Sequence, residues 1–488
     1  RDFNHISNTV NFLPSFGQTR RRLIGVYANV DVNYRRWAFL TLTGRNDWSS
    51  TFTKANRSYF YPSVSGSVVL TDAVPSLQND WLSMMKIKGA WAKVGREAGV
   101  YNTDTYFATA NPSDGFGPQI QFPFRGQQGR TLRDDAGNPN LGPEFTRNVE
   151  YGVEFRFWKN RIGFDLTRFD TRSTNVILPV PVAAASGFSN LVQNVGSLES
   201  SGWEWSLNVT PIKNRDWKVD FTFNGARIRN TVLSLAPGVT NISLGPFTTA
   251  QGRLVAGEAY GSLYANTLVR DANGALVVNP TTGLPIPTTG DLRRVGDPNP
   301  NWTGGITTNV RYKGFNLNFL IDIRRGGDVL SRVVGDLRRT GSVIETTALP
   351  RFGADGQPLR NYVIPGVKGS VGGDGTVQTT GPNDVAITAQ QYWSSQFAFN
   401  VPGMFVFDGS WTRLREASLS YTFQKGLLSK TPFGNLELGV NGRNLLLFTK
   451  VPHVDPEFNL GSDQNLQGIE FNTSPQSRSY GAFLRMSF

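Results

Sequence analysis

The 488 residues include no cysteine and only two histidines, His5 and His453. Without thiols there is no disulfide framework, no thiolate zinc site and no cysteine nucleophile. Two histidines so far apart cannot form a His-x-x-x-His pair or a multi-histidine centre; a loop site would have to combine His453 with the nearby Asp455 and Glu457. Long apolar runs are also missing. The longest candidate, Val176 to Ala185, contains two prolines and falls well short of the ~18 residues a transmembrane helix needs. No G-x-S-x-G elbow, P-loop or G-x-G-x-x-G fingerprint occurs, and the glycines between 366 and 375 lack a strand-to-helix context. Acidic pairs such as Asp134-Asp135 have no visible partner geometry for glycoside chemistry. The expectation is a protein that is not an enzyme and uses no metal or cofactor. A charged n-region followed by an apolar core is absent from the N-terminus, so no signal peptide is read there.

Basic runs are scarce despite a formal net charge of +12, from 49 Lys+Arg against 37 Asp+Glu. Arg20 to Arg22 is the only triple, and the remaining cations are scattered. This argues against nucleic acid and leaves anionic lipid head groups or an anionic ligand as targets.

What is present points to β structure. Aromatic residues make up 12% of the chain, and there are 52 glycines and 27 prolines, a mixture suited to strands and turns. Period-2 alternation recurs in segments of about the ten residues a tilted strand needs to cross a bilayer. Tyr151, Val153, Phe155 and Phe157 oppose Gly152, Glu154 and Arg156. Trp203, Trp205, Leu207 and Val209 oppose Glu204, Ser206, Asn208 and Thr210. Trp217, Val219, Phe221 and Phe223 oppose Lys218, Asp220, Thr222 and Asn224. Phe315 to Ile323 repeats the split, with Leu320 as one apolar intruder on the polar side. A soluble sandwich also alternates, but aromatics at strand ends, aliphatics between them and full charges on the polar face favour a membrane barrel.

Connection lengths point the same way. Short turns at Lys159-Asn160-Arg161, Lys213 to Asp216 and Lys313-Gly314 alternate with long stretches at 96–144, 171–200, 230–301, 326–410 and 450–476. Outer-membrane barrels have short periplasmic turns and long extracellular loops. Strands are expected near 22–33, 36–45, 58–70, 84–95, 145–158, 161–171, 201–212, 216–228, 302–313, 315–325, 411–423, 435–448 and 478–488, about thirteen in all. Single-chain bacterial barrels have an even number. An odd count that begins outside implies upstream strands beyond this sequence.

Several blocks carry a family likeness. They are LTLTGRNDWSSTF (Leu40 to Phe52) followed by Tyr61-Pro62-Ser63-Val64-Ser65, MKIKGAWAKVG (Met85 to Gly95), the Asn138 to Glu150 segment with Asn160-Arg161, LVQNVGSLESSGWEW (Leu191 to Trp205), FDGSWTRLREASLSYTF (Phe407 to Phe423), and Asn441 to Glu457 with its Asp-Pro-Glu. Taken together the chain resembles the SusC/RagA group of TonB-dependent outer-membrane transporters over nearly its whole length. Trp91-Ala92 replaces the usual Tyr-Gly, and Ser201 stands where Asn or Lys is common.

The resemblance implies an all-β, transmembrane antiparallel barrel, with residues 1–488 as the C-terminal part of a 22-stranded plugged barrel. The signal peptide, N-terminal accessory domain, TonB box, plug and first strands would lie outside the sequence. It also implies import of a bulky nutrient, a glycan or oligopeptide, across the outer membrane. The implied partners are a SusD-like surface lipoprotein lid, the TonB-ExbB-ExbD complex acting through the plug, and outer-membrane lipids. A passive porin or structural outer-membrane protein, or a secreted β-sandwich adhesin, remains an alternative.

Candidate lumen residues are Glu154, Arg156, Glu204, Lys218, Asp220 and Arg311. Candidate loop aromatics for sugar or peptide stacking are Tyr101, Tyr106, Tyr392, Trp393 and Phe397, with Phe107 and Phe116 nearby. In the last strand, Tyr480, Ala482, Leu484, Met486 and Phe488 share one face and end on an aromatic, like the terminal strand read by outer-membrane assembly machinery.

Overall fold

The computed structural model describes residues 18–110, 112, 120, 122–245, 247–395, 400–423, 425–429, 431–457, 459–460, 466–474 and 476–487. Its dominant element is one thirteen-stranded antiparallel sheet in which every strand pairs with its sequence neighbour along the sheet. The strands are β1 (Leu23–Tyr34), β2 (Ala38–Ser49), β3 (Ser58–Val69), β4 (Leu82–Arg96), β5 (Glu144–Phe157), β6 (Ile162–Thr174), β7 (Ser197–Lys213), β8 (Trp217–Ser234), β9 (Trp302–Tyr312), β10 (Phe315–Arg325), β11 (Trp411–Thr422), β12 (Asn435–Thr449) and β13 (Ser479–Ser487). β1 pairs only with β2 and β13 only with β12 among the described residues, so both edges of the sheet are open.

Register explains why the alternation is so regular. Residues directly opposite in an antiparallel pair share a face, so Phe155↔Phe164 and Val153↔Leu166 extend one apolar surface from β5 to β6. That surface continues through Leu207↔Phe223 and Ile306↔Ile321 to Leu438↔Leu484. On the other face the sheet is concave, enclosing ≈1020 Å³ lined by residues from β2 to β10, among them Lys88, Asp165, Glu204 and Asp322. Leu320 lines this concavity too.

At one end the hairpins are tight. Arg35 and Arg36 occupy the left-handed region at φ 47° and 64°, and Trp37 donates its N–H to the Tyr34 carbonyl at 3.2 Å, a primed turn within a three-residue connection between the paired Tyr34 and Ala38. Aromatic side chains ring the apolar face beside these turns, with Trp217 against Tyr312 at 4.2 Å, Phe315 against Tyr421 at 4.7 Å and Trp81 against Phe157 at 4.9 Å between ring centroids.

At the other end the long connections are folded. They contain a four-stranded sheet (Asn241–Ser243, Ala250–Val255, Ser262–Ala265, Arg293–Gly296) and smaller ones, one of which joins Asp328–Ser331 to Val406–Asp408 and Ile469–Glu470. Helix α1 (Arg332–Arg339) is capped by Ser331, whose side chain accepts from the Val334 N–H. Most of the buried apolar side chains lie in this layer. Leu254, Leu263, Val277, Val278, Ile387 and Phe405 are fully buried there.

Candidate functional site

The concave face gathers polar side chains because every second residue of nine neighbouring strands, β2 to β10, points to it. Its charges are paired. Glu154 and Arg156 meet at 2.6 Å, Lys218 and Asp220 at 2.8 Å, and Lys88 reaches Asp165 at 2.8 Å. The Thr210 hydroxyl donates to Asp220 at 2.7 Å. Beside them Asn309 bridges Asn316 at 3.1 Å and Asn318. Glu204 lines the concavity, while Arg311 lies opposite Lys218 and Asn316; neither side chain makes a hydrogen bond or ion pair among the described residues. The structure thus places all six candidate lumen residues on one face: four form two ion pairs, and Arg311 lies close enough to act on Asp220.

The loop aromatics separate into two groups. Tyr101 and Tyr106 pack edge to face at 6.1 Å in the connection after β4, with the Arg133 guanidinium 4.9 Å from the Tyr106 ring. Tyr392 touches both Tyr362 and Trp393 at 4.8 Å in the connection after β10. A second cavity of ≈490 Å³ opens beside Tyr362 and Tyr392, walled by Leu268, Leu276, Pro285 and Ile364. Burial pushes the Tyr362 phenol above its ordinary value. The Trp393 indole N–H is buried without a hydrogen-bond partner among the described residues. Phe107 is exposed, and Phe116 and Phe397 lie outside the described residues. In β13, Tyr480, Leu484 and Met486 are exposed on the apolar face; Phe488 lies outside the described residues.

A further cluster went unnoticed in the sequence. Arg413, only 2% exposed, donates to Asp455 at 2.6 Å and to Gln476 at 2.9 Å. Arg415 donates to both oxygens of Glu457 at 2.8 and 2.9 Å and to Asp322 at 2.7 Å. Fork-to-fork pairing of this kind is the strongest form of salt bridge. It fastens the connection after β12 to the inner wall of β10 and β11. Burial works to raise the Glu457 carboxyl, but the Arg415 and Arg413 guanidinium groups outweigh it and hold the group below its ordinary value. The available signal was Arg-x-Arg at 413–415 with Asp-Pro-Glu at 455–457, spaced so that alternate residues face together.

His453 does not join Asp455 and Glu457. Its ring lies 2.7 Å from Glu345, and this contact holds the Glu345 carboxyl below its ordinary value. No group of three metal-ligating side chains occurs among the described residues.

Comparison with known proteins adds the following. Residues 1–445 match the family model described as TonB dependent receptor-like, beta-barrel. TonB-dependent receptor P3 of Formosa agariphila is 26% identical over 98% of this chain and 47% of its own length. TonB-dependent receptor SusC of Bacteroides thetaiotaomicron is 25% identical over 92% of this chain and 42% of its own. Among solved structures, the RagAB peptide transporter superposes with a TM-score of 0.71 at 21% identity, covering 96% of this chain and 48% of that one. The chain therefore spans about half the length of the curated relatives it matches.

Proposed function

The chain belongs to the TonB-dependent receptor-like β-barrel family, and from that membership we propose that it forms the C-terminal part of an outer-membrane active transporter for a bulky nutrient. The carrying observation is the opposite character of the two sheet faces: paired charges line the concave side, and exposed apolar side chains cover the other. A lipid-facing wall around a wet lumen requires this division. A sandwich would cover its apolar face with a second sheet, and none covers this one among the described residues.

The cargo in this reading is a glycan or oligopeptide. Peptide is supported by the likeness to the RagAB peptide transporter, and either is supported by the aromatic cavity at Tyr362 and Tyr392. A SusD-like lipoprotein would close the loop end. TonB-ExbB-ExbD would supply energy through a plug carried elsewhere in the full-length protein, and strands preceding β1 would cover its open edge. Transport is then displacement of plug and lid, with no bond made or broken.

Uptake by cells carrying the full-length protein tests this. Uptake should stop when the proton-motive force is dissipated or TonB is removed. Uptake that persists under both conditions identifies a passive porin instead.

A further inference from the structure

The four tight turns carry more positive charge than their chemistry as turns calls for. They comprise residues 35–37, 158–161, 214–216 and 313–314, which join β1 to β2, β5 to β6, β7 to β8 and β9 to β10. These twelve residues hold six cations, Arg35, Arg36, Lys159, Arg161, Arg215 and Lys313, against one carboxylate, Asp216. The excess of five is a large share of a net charge of +12 spread over 488 residues. All six cations are exposed. Lys159 makes a loose contact with Asp80 at 3.8 Å, with side chains 84% and 97% exposed. The other five make no side-chain hydrogen bond or ion pair among the described residues.

Backbone conformation shows that these cations are held against a local preference. Arg35, Arg36, Trp158, Lys159, Asn160 and Lys313 are left-handed, with φ between 47° and 66°. Glycine takes that conformation freely and asparagine with little strain, so Asn-Gly is the favoured pair in such turns. Four of the six positions nevertheless carry Arg or Lys, and none carries glycine. Aromatic rings fix the height of the charges. Arg35 lies 5.2 Å over the ring of Tyr34 and Lys313 lies 5.3 Å over that of Tyr312. Both rings belong to the apolar face, Tyr34 in line with Val30 and Val32, and Tyr312 directly opposite Trp217. Trp and Tyr settle at the level of lipid head groups, so cations one or two residues further on stand within about 7 Å of that level. Along the sheet the turns run from β1 to β10, an arc of about 43 Å at strand spacings of about 4.8 Å. Charges strung along an arc at one height fit a membrane surface, whereas a protein partner needs them gathered in one patch.

We propose that the turn-end cations form a collar that binds the phosphodiester groups of anionic glycerophospholipid in the leaflet on that side of the membrane. Arginine meets phosphate oxygens two at a time with its planar fork, and lysine meets them as a point charge. Each cation near an anionic bilayer surface adds its own increment of attraction, so an arc of them acts together. In outer-membrane barrels the short turns are periplasmic, which sets the collar against the inner leaflet of the outer membrane. The proposal rests on the outer-membrane reading above.

The full-length protein is reconstituted in nanodiscs of phosphatidylcholine doped with phosphatidylglycerol and checked for insertion by heat-modifiable gel mobility, and the lipid that stays bound is counted by native mass spectrometry. Phosphatidylglycerol should be enriched about tenfold over its share of the nanodisc. In R35N/R36N/K159N/K313N asparagine suits the left-handed turns, so the protein should insert and unfold as the wild type does while the enrichment falls within about twofold. Removal of as many exposed cations at the loop end, in K54Q/R125Q/R293Q/R360Q, should leave the enrichment intact. Enrichment that survives the turn-end change, or that falls equally in the loop-end variant, overturns the collar alone. Wild-type protein that inserts without enriching phosphatidylglycerol overturns it in favour of an acidic periplasmic partner. Failure to insert in any bilayer overturns the collar and the transporter reading together.

Discussion

The wall and the loop layer obey opposite rules. In β1 to β13 large apolar side chains are exposed, Phe448 by 65% and Tyr480 by 75%, whereas in the loop layer Leu254, Leu263 and Phe405 are at 0%. Charges invert in the same way, with ion pairs inside the wall. Hydrophobic burial does not depend on the hydrophobe alone but on what replaces water around it. The difference therefore maps two solvents, lipid around the wall and water around the loops, along one chain that crosses between them at each strand end.

The sharpest way to break that comparison uses one residue type in both regions. Phe405 packs against Val334, Phe407 and Val454 beneath α1, so Phe405→Ala is expected to destabilise the loop layer by about 4 kcal/mol. Phe448→Ala, on the apolar face, leaves no enclosed cavity and should shift stability by less than about 1 kcal/mol. Thermal unfolding of the full-length protein in detergent, read beside protease sensitivity of the loops, measures both. Comparable losses would mean that the wall and the loops share one solvent.

Next comes the latch between the regions. Asp455→Ala removes the closest acceptor of a buried guanidinium and should cost about 3 kcal/mol, toward the low end for broken buried pairs because Glu457 and Gln476 remain. Release of the connection after β12 should appear as faster proteolysis there. Acid should act in the same direction. The Glu457 carboxyl has a folded value below its ordinary 4.5, so its contribution is complete above that value and fades as pH falls through the lowered one. Protection of the connection that rises on acidification would contradict this.

Much of the wall was legible because its signal is local. Alternation in Tyr151 to Phe157 and in Trp217 to Phe223 needs no knowledge of partners, and tight turns such as Lys159 to Arg161 set the pairing. Strand ends were less legible: β7 and β8 extend to Ser197–Lys213 and Trp217–Ser234, beyond the expected 201–212 and 216–228. Outward arginines such as Arg227 and Arg229 broke the apolar pattern while the backbone pairing continued. The loop layer was illegible for a different reason. Its strands are two to six residues long, and pairings such as Leu330↔Ile469 join residues far apart in sequence. Arg413 and Asp455 sat in view as motif residues, but a contact across 42 positions leaves no periodic trace.

Adjacent residues on opposite faces sharpen the comparison within one strand. Phe319 faces Thr308 and Ala417 in the middle of the apolar face, whereas Leu320 lines the concavity beside Asp322. Phe319→Lys should cost about 2–3 kcal/mol of membrane stability, and Leu320→Lys close to nothing. Chemical unfolding in lipid vesicles compares the two, and equal costs would remove the distinction between lipid and lumen faces at β10.

The smallest effect belongs to the inner ion pairs. Lys218 and Asp220 are 2.8 Å apart, with side chains 41% and 27% exposed, and solvent in the lumen screens them. Lys218→Ala should therefore change stability by less than about 1 kcal/mol. Its consequence should be in traffic rather than folding, because Asp220 keeps the Thr210 hydrogen bond and then presents an unneutralised carboxylate beside Arg311. Uptake of differently charged cargo by wild type and variant reads this directly: a change that depends on the sign of the cargo's charge places the pair on the transport path. An equal rate for every cargo makes Lys218 and Asp220 a feature of the wall alone.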